Sequence, residues 1–382
     1  MFSKPKGFIG VDLGAGGVKI VELREEKKRP VLYTYALTSE SQDVHQLLAE
    51  TREKLLAPEA VQIEQKQNIR GDKKAAPMVD ASDARVQKYA DTLHAACVAA
   101  KTSSKIAVGS LPVSAVFHSI VTMPAVDAKE FLGILKAEVK KLLPYSIDDM
   151  VLDYQVLESF STDKVKKIMV SAVPKAIVEF YSKVFRRAGL TLESLEPESM
   201  ALSRSLIGRD RAVTMLIDMG AERTNFFIID EAIPITNHSI ESGGNKINRL
   251  MMSTLGVEES EVPQIKHDLY QRSLAGNGTI DRKTFIDLLM PVIDPIVKQI
   301  EYSFGVYFNQ TGNEQKKPEK IILTGGAAMV PYLAEYLADY FKIKCYLGDP
   351  WARVVHQDKL QPLLNEIGPR MSIAIGLALK NL

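Results

Sequence analysis

Two short segments, about two hundred residues apart, share one pattern that constrains the fold more than any other feature of the chain. Each is an apolar run that ends in Asp-x-Gly and is soon followed by a second apolar run. The first copy contains Asp12 and Gly14, and the second contains Asp218 and Gly220. Each copy predicts a strand, a tight turn and another strand. The repetition predicts two related half-molecules that face each other across a bound nucleotide.

Each predicted turn has the groups that a phosphate site needs. Glycine permits a tight turn whose backbone N–H groups converge on one point, and such an arrangement binds phosphate. A carboxylate cannot hold phosphate directly, so Asp12 and Asp218 are predicted to orient water molecules on Mg²⁺, which prefers few carboxylates and several waters. The other predicted ligands of the two turns are Gly14, Gly16, Gly17, Lys19, Gly220 and Thr224.

A third segment, Lys320–Leu333, combines an apolar strand, a diglycine turn and the start of an amphipathic helix. The backbone at Gly325 and Gly326 carries no side chain, so a flat adenine ring is expected to lie against it, next to Ala327. Taken alone, the segment is more typical of an ordinary strand-to-helix turn.

In their order and spacing, the three segments resemble the phosphate-1, phosphate-2 and adenosine motifs of the actin-like ATPase superfamily. That resemblance implies an α/β fold with two lobes of duplicated ribonuclease-H-like βββαβα domains, and ATP and Mg²⁺ as cofactors. Leu195–Leu202 resembles the connecting helix of the superfamily, which implies that Glu196 positions the attacking water. An acidic residue favoured by the dipole at a surface helix terminus is the alternative explanation for Glu196.

Further segments narrow the resemblance to the PilM family, cytoplasmic actin-like proteins of type IV pilus assembly, and they cover nearly the whole chain. The segments are Gly109–Pro112, Met123–Ala125, Lys140–Pro144, Met150–Leu157, Glu241–Ile247 and Ile373–Leu379. The resemblance implies an inserted subdomain, called 1C, within the first lobe. The implied divisions are 1A at 1–111 and 174–212, 1C at 112–173, 2A at 213–241 and 316–382, and 2B at 242–315.

The nucleoside end of the site departs from the family pattern. PilM relatives usually carry Ala-Glu-x-x-Lys, whose Glu and Lys reach the ribose, whereas this chain has Pro263–Lys266 with Gln264 in place of the acid. Lys266 is retained, and a neutral Gln264 can still form a hydrogen bond with a ribose hydroxyl. Gly243 and Gly244 are the remaining residues that the resemblance assigns to the cofactor.

The resemblance also implies a partner. Proteins of the PilM family are held at the inner face of the cytoplasmic membrane by the N-terminal cytoplasmic peptide of PilN, an inner-membrane protein. By analogy, a groove formed by Leu111–Val121 and the helix that begins near Ala128 is expected to receive such a peptide. The expected function is an ATP-binding assembly protein with slow or no ATP turnover, and self-association or contact with an assembly ATPase stays open.

Charge, cysteine content and hydropathy limit the type of partner, the redox compartment and the cellular location. With 48 basic and 47 acidic residues, the net charge of +1 gives no reason to expect a nucleic-acid partner. Only two cysteines are present, in no metal-like or redox-like spacing, which favours a reducing compartment. Because no apolar run resembles a signal peptide or reaches the length of a membrane span, a cytoplasmic location without direct membrane insertion is expected.

Three other classes of protein stay open. An FtsA-like filament-forming division protein normally ends in a basic amphipathic helix, and Lys380–Leu382 contains none, which favours recruitment through a partner, as in a secretion adaptor. A small-molecule kinase requires a substrate-side Asp for which the first lobe offers no specific candidate. A nucleotide-free structural relative is disfavoured because the Asp-x-Gly and diglycine turns are intact.

Local patterns predict individual elements. A helix at 127–142 should cover a small sheet through one face, and a helix at 175–188 should return the chain to the first lobe. Pro291 and Pro295 predict that a long apolar helix begins or kinks there. The polar stretch 58–82 is predicted to be an exposed loop. The inward positions predicted for the first helix are Phe131, Leu135, Val139 and Leu142, and for the second Ile177, Phe180, Tyr181 and Val184.

Overall fold

The computed structural model of the chain describes residues 6–56, 81–274, 281–310 and 316–382. The loop predicted at 58–82 lies outside the described residues as far as residue 80. Across the described ranges, no helix combines the length and the apolar character that are needed to cross a bilayer.

The described strands and helices alternate in blocks along the chain. The strands are β1 Gly7–Gly14, β2 Gly17–Glu26, β3 Arg29–Leu37, β4 Ile106–Leu111, β5 Phe117–Pro124, β6 Met150–Val156, β7 Val165–Pro174, β8 Thr191–Pro197, β9 Thr214–Met219, β10 Thr224–Asp230, β11 Ile233–Ile240, β12 Lys320–Thr324 and β13 Lys344–Leu347. The α-helices are α1 Val44–Leu56, α2 Ala81–Ala99, α3 Ala128–Leu142, α4 Lys175–Arg187, α5 Glu198–Leu202, α6 Gly244–Leu255, α7 Val262–Leu274, α8 Arg282–Phe308, α9 Leu333–Phe341 and α10 Gln361–Ala378.

The strands form two five-stranded sheets with the same layout. The first has the order β3-β2-β1-β4-β8 and the second has the order β11-β10-β9-β12-β13. In each, three successive antiparallel strands form a meander, and the two later strands run parallel to its first strand. The central strands β1 and β9 are buried along almost their whole length, as expected for strands covered on both faces. The duplication predicted from the two Asp-x-Gly segments is therefore present.

The last helix joins the two halves. Helix α10 packs against β1 and β2 of the first sheet and against α5. The backbones approach so closely that a Cβ on Gly10 would lie 1.9 Å from the carbonyl oxygen of Ala374. A Cβ on Gly376 would lie 1.9 Å from the carbonyl oxygen of Ala201. Glycine is therefore required at both positions, and the contact holds α10 at the base of the cleft between the lobes.

A three-stranded antiparallel sheet of order β5-β7-β6, covered by α3, forms a small module between β4 and α4. Leu135 and Val139 of α3 are buried in its core and Phe131 packs against that core, as predicted. The prediction for Leu142 is wrong, since this side chain at the end of the helix is 48% exposed. The inward positions predicted for α4 are all buried.

The long helix of the second lobe differs from its prediction. Helix α8 begins at Arg282, well before Pro291, and contains both prolines. Asp281 caps its N-terminus, because the carboxylate accepts a hydrogen bond from the backbone N–H of Thr284 at 3.1 Å. Of the two predicted alternatives, a start at the prolines is therefore wrong, and a kink there stays a prediction. Packing of Phe285, Ile286 and Leu289 in the lobe's core stabilises the turns before Pro291.

Candidate functional site

The two Asp-x-Gly hairpins face each other across a cleft of about 390 Å³ between the lobes. Gly16 at the tip of the β1–β2 hairpin lies so close to the β9–β10 hairpin that a Cβ added there would be 3.2 Å from the Cβ of Ala221. The predicted residues that line the cleft are Asp12, Gly14, Gly16, Lys19, Asp218, Gly220, Gly244, Lys266, Gly325, Gly326 and Ala327.

The first hairpin brings a carboxylate and an ammonium group together. Asp12 and Lys19 are directly opposite each other on β1 and β2, so their side chains share one face of the hairpin. Lys19 Nζ lies 3.2 Å from Asp12 Oδ2, and the Ser110 hydroxyl donates to Asp12 Oδ1 at 3.1 Å. The charge of this buried carboxylate is therefore paired, while Lys19 still faces the cleft.

In the second hairpin, the residue opposite the aspartate is an amide. Asp218 faces Asn225, whose Nδ2 donates to Asp218 Oδ2 at 3.1 Å. Thr224 is paired with Met219, so it lies on the other face; its hydroxyl is fully buried and donates to the carbonyl of Ser242. The structure therefore does not bring Thr224 to the cleft. Asn225 was missed by the sequence reasoning, although matching it to Lys19 by strand register would have found it.

The structure also places Glu196 away from the cleft. Its Oε2 lies 2.9 Å from Nη1 of Arg204, and its Oε1 lies 3.0 Å from Nζ of Lys380. Both carboxylate oxygens are thus bound to cations. Strand β8 continues through Pro197, and the helix begins at Glu198, so it is Glu198 that reaches the cleft.

Glu198 is nearly buried between the two hairpins. Its Oε2 accepts a hydrogen bond from the backbone N–H of Val113 at 3.2 Å and lies 3.4 Å from Nδ2 of Asn225. Burial, together with the charges of Asp12 and Asp218, raises the pKa of Glu198 well above its usual value. Burial, with Asp12 adding to it, also raises the pKa of Asp218, to about 6. The cleft therefore concentrates negative charge that a cation would neutralise.

The donor set fits Mg²⁺ better than an ion that needs a protein cage. Asp12 and Asp218 approach from opposite lobes, and among the described residues no three His, Cys, Asp or Glu side chains are close enough to hold an ion directly. Mg²⁺ commonly binds through one or two carboxylates and completes its octahedron with waters and phosphate oxygens. The two aspartates fit that role, with the carboxylate of Glu198 alongside.

Two predicted glycines support the turns without lining the cleft. Gly17 has a φ of 106°, and a Cβ there would lie 2.1 Å from the carbonyl oxygen of Thr38. Gly243 packs on the β9–β10 turn, where a Cβ would lie 2.6 Å from the carbonyl oxygen of Ala221. The next residue, Gly244, donates its N–H to the carbonyl of Gly220 at 2.9 Å. The start of α6 is thus fixed to the second hairpin.

Helix α7 and the diglycine turn after β12 also line the cleft. Gly325 has a φ of 87°, and a Cβ there would lie 2.6 Å from Asp218 Oδ1. From α7, Lys266 Nζ donates to Asn248 Oδ1 at 3.2 Å. Gln264 is exposed, and its amide donates along the helix to Asp268 at 2.7 Å. The Gln264 amide is thus engaged along its own helix, and its contact with a ribose stays a prediction.

Near the mouth of the cleft, His45 and Ser114 of the first lobe lie opposite Arg223 of the second. Burial, together with the charge of Arg223, lowers the pKa of His45 to about 4. Its neutral ring lies 3.3 Å, Nδ1 to Oγ, from Ser114. Sequence reasoning missed this cluster because nothing in the local pattern around His45 connects it to the second lobe.

A second cavity, of about 250 Å³, lies where the first lobe, the small module and the second lobe meet. It shares Ser114 with the cleft. Residues from the predicted Leu111–Val121 stretch line it, whereas among the described residues α3 contributes none. The lining residues are Leu48, Thr51, Arg52, Ser114, Ala115, Val116, Phe117, His118, Pro144, Tyr145, Met150, Pro174, Ile177 and Asn237.

Comparison with known proteins identifies relatives of the chain. The sequence model of the family described as type IV pilus assembly protein PilM matches residues 59–382. No curated protein sequence matches the chain significantly.

Among solved structures, a chain of the PilM-PilN type IV pilus biogenesis complex is 20% identical and superposes with a TM-score of 0.71 over 97% of each chain. The ethanolamine utilization protein EutJ from Carboxydothermus hydrogenoformans is 14% identical, with a TM-score of 0.49 over 98% of this chain and 90% of that one. The activator of the 2-hydroxyisocaproyl-CoA dehydratase from Clostridium difficile with bound ADPNP is 10% identical, with a TM-score of 0.41 over 98% and 93%.

The first of these superpositions covers almost the whole of both chains, so the two share one fold. The expected fold class, a mixed α/β actin-like ATPase fold with two five-stranded sheets, is confirmed.

Proposed function

The chain belongs to the type IV pilus assembly protein PilM family, and from that membership we propose that it binds ATP with Mg²⁺ in the cleft as part of pilus assembly. The observation that carries the nucleotide proposal is the approach of Gly16 and Ala221 at the tips of the two hairpins. Both tips and Lys19 line the cleft, and glycine-rich turns of this kind can direct backbone N–H groups at a phosphate. Asp12 and Asp218, which line the same cleft, would hold the Mg²⁺.

Turnover is proposed to be slow or absent. When bound, Mg²⁺ neutralises phosphate charge and orients the phosphates for in-line attack. Glu198 lines the cleft and feels the charges of both aspartates, so we assign to it, and not to Glu196, the task of holding the attacking water. Because its pKa is raised, the carboxyl group resists ionisation and is a weak proton acceptor until a cation enters.

A pair of glycine substitutions tests the nucleotide proposal. In Gly16→Leu, the side chain would fill the gap between the hairpin tips, and we expect calorimetry with MgATP to show no binding. Gly133→Leu is the matched control, because a Cβ at Gly133 on the exposed face of α3 would meet nothing within 4 Å. If Gly16→Leu binds MgATP as tightly as the control does, the triphosphate does not lie between the tips.

The partner is proposed to be the N-terminal cytoplasmic peptide of a PilN-like inner-membrane protein, docked in the second cavity. The cavity adjoins β5, an edge strand of the module's sheet, and extended peptides commonly bind at such edges with side chains in neighbouring pockets. Its walls combine apolar side chains such as Leu48 and Ile177 with the cation of Arg52. Docking there would hold the protein at the inner face of the cytoplasmic membrane.

Two tryptophan substitutions on α1 test this partner site. Thr51→Trp would place a bulky ring in the cavity, and we expect it to abolish binding of a synthetic PilN-like N-terminal peptide in a fluorescence anisotropy assay. Glu53→Trp adds the same ring at an exposed position on the same helix and should bind as the unmodified protein does. Equal peptide affinity for the two variants would exclude the cavity as the docking site.

The division into subdomains is part of the same proposal. We place 1C at 112–173, 1A at 1–111 and 174–212, 2A at 213–241 and 316–382, and 2B at 242–315. Self-association and contact with an assembly ATPase stay predictions, and either would use surfaces outside the cleft.

A further inference from the structure

Arg370 lies where the predicted adenine surface should be open. It extends from the middle of α10 over Gly326, and a Cβ on Gly326 would be 3.3 Å from Cγ and 3.7 Å from Nε of Arg370. The side chain lines the cleft. A planar base therefore cannot lie directly on Gly326 while Arg370 keeps this position.

The guanidinium group of Arg370 is without a partner in the described ranges of the chain. It forms no hydrogen bond or ion pair with any residue that the structure describes, although it is partly buried and burial lowers its pKa. The nearest acidic candidate on its own helix, Glu366, is directed instead to His267, with an Oε1 to Nδ1 distance of 3.5 Å. An unpaired cation in a partly dry cleft is costly unless a ligand contacts it.

Side chains of α7 line the same cleft as Arg370. They are Lys266, His267 and Tyr270. Lys266 already donates to Asn248, and its charge opposes that of Arg370, so the two side chains cannot satisfy each other. Gly326 belongs to the diglycine turn against which the adenine is expected to lie, so on the proposed function the base is the part of the nucleotide that would reach Arg370.

We propose that Arg370 is the platform on which the base of the nucleotide stacks, a role that rests on the proposed function. The guanidinium is planar and weakly hydrated, and it stacks on the electron-rich face of an aromatic ring. The aliphatic part of the side chain would stay on Gly326, while the planar head lies between the glycine backbone and the base. Arg370 is then a specificity-determining residue that distinguishes a nucleotide from a bare polyphosphate.

The test compares two ligands by isothermal titration calorimetry in the presence of Mg²⁺: ATP, and tripolyphosphate, which has no base. Arg370→Met keeps the aliphatic part of the side chain and removes the planar cation. We expect it to weaken ATP binding about ten-fold and to leave tripolyphosphate binding within about two-fold. Arg370→Lys should resemble Arg370→Met, because an ammonium group has no planar face. Arg186→Met, which removes one exposed cation from α4, is the control and should change neither affinity.

Each alternative outcome contradicts a distinct claim. If Arg370→Met weakens ATP and tripolyphosphate by the same factor, or if Arg370→Lys binds ATP as the unmodified protein does, the side chain acts through charge and the stacking proposal is wrong. If the unmodified protein binds tripolyphosphate as tightly as ATP, no base site exists, but the phosphate site stands. If it binds neither ligand, the proposed function fails and this inference with it.

Discussion

Asp12 and Asp218 occupy the same position in their hairpins but have different partners across the strands. Asp12 faces the ammonium group of Lys19, whereas Asp218 faces only the amide of Asn225. An amide can donate a hydrogen bond but cannot neutralise a buried charge. Burial therefore raises the pKa of Asp218 to about 6 and also raises that of its neighbour Glu198. We expect bound Mg²⁺ to relieve the repulsion between the carboxylates of Asp218 and Glu198.

The raised pKa of Asp218 predicts how stability depends on pH. A folded-state pKa above the unfolded value means that ionisation opposes folding, so the protein loses stability as the pH rises from 3.8 through about 6. Asp218→Asn removes this loss. In the absence of Mg²⁺ and nucleotide, the variant should be more stable than the unmodified protein at pH 8, by up to about 3 kcal/mol, and the difference should vanish near pH 4.

Urea unfolding at pH 4, 6 and 8 measures this difference. Asp149→Asn, at an exposed position in the module, is the control and should show no such trend. An Asp218→Asn variant that is less stable than the unmodified protein at pH 8 would show that the carboxylate is favourably paired in the folded state.

Glu198 and Glu196 differ in what each carboxyl group touches, which separates their predicted roles. Glu198→Gln should lower single-turnover ATP hydrolysis about 100-fold while leaving ATP affinity nearly unchanged, because Gln keeps the hydrogen bonds of the side chain but not its charge. Glu196→Gln should keep the turnover rate and lower the melting temperature, because it leaves Arg204 and Lys380 without their acidic partner. The reverse pattern would restore Glu196 as the water-positioning residue.

At the scale of elements, the packing of α10 depends on glycines that provide close backbone contact. Gly376 and Gly305 are both helical, so replacing either by alanine gains similar helix propensity, up to about 1 kcal/mol. At Gly305 a Cβ would meet nothing within 4 Å, and Gly305→Ala should be stabilising by that amount. At Gly376 the Cβ would collide with the backbone of Ala201, and Gly376→Ala should destabilise by more than about 3 kcal/mol. Denaturant unfolding of both variants checks the contrast, and equal effects would mean that α10 is not packed against α5.

The elements that could be predicted from sequence are those whose signal is local. The two hairpins, the diglycine turn and the amphipathic helices follow from residue order and periodicity, and the structure contains them. The position of α8 could not be predicted, because Pro291 and Pro295 are tolerated within a helix whose earlier turns are held by core packing. Leu142 was misassigned because periodicity does not show where a helix passes the edge of the sheet beneath it.

The residues of the cleft were harder to predict where they depend on contacts across the chain. Asn225 follows from strand register, which the sequence contains but which requires knowing the exact pairing of β9 with β10. The entry of Glu198 into the cleft depends on the exact residue at which β8 ends and α5 begins. That helix begins two residues after Glu196. Arg370 depends on the approach of α10 to Gly326, and no local pattern around either residue indicates that contact.

At the scale of the whole molecule, the proposed nucleotide site depends on how closely the two lobes approach. The lobes are joined through α10 and α5 at the base of the cleft, and the module contacts the second lobe where His118 Nε2 donates to the carbonyl of Pro234 at 3.0 Å. Burial lowers the pKa of His118, so the ring stays neutral, and the Nε2–H tautomer supplies this bond. The module thus supports the lobes in an arrangement that brings the hairpin tips together.

Cross-linking the hairpin tips tests this arrangement in solution. A Cβ on Gly16 would lie 3.2 Å from that of Ala221, close to the separation found in disulfides. The double variant Gly16→Cys/Ala221→Cys should therefore form an intramolecular disulfide under mild oxidation, detected as altered mobility on non-reducing gels. MgATP should slow the reaction, because a triphosphate would separate the two thiols.

The pair Gly133→Cys/Ala221→Cys controls for random oxidation and should not cross-link within the molecule. Failure of the first pair to cross-link without nucleotide would mean that the tips stay apart, and a rate unaffected by MgATP would mean that the triphosphate does not pass between them.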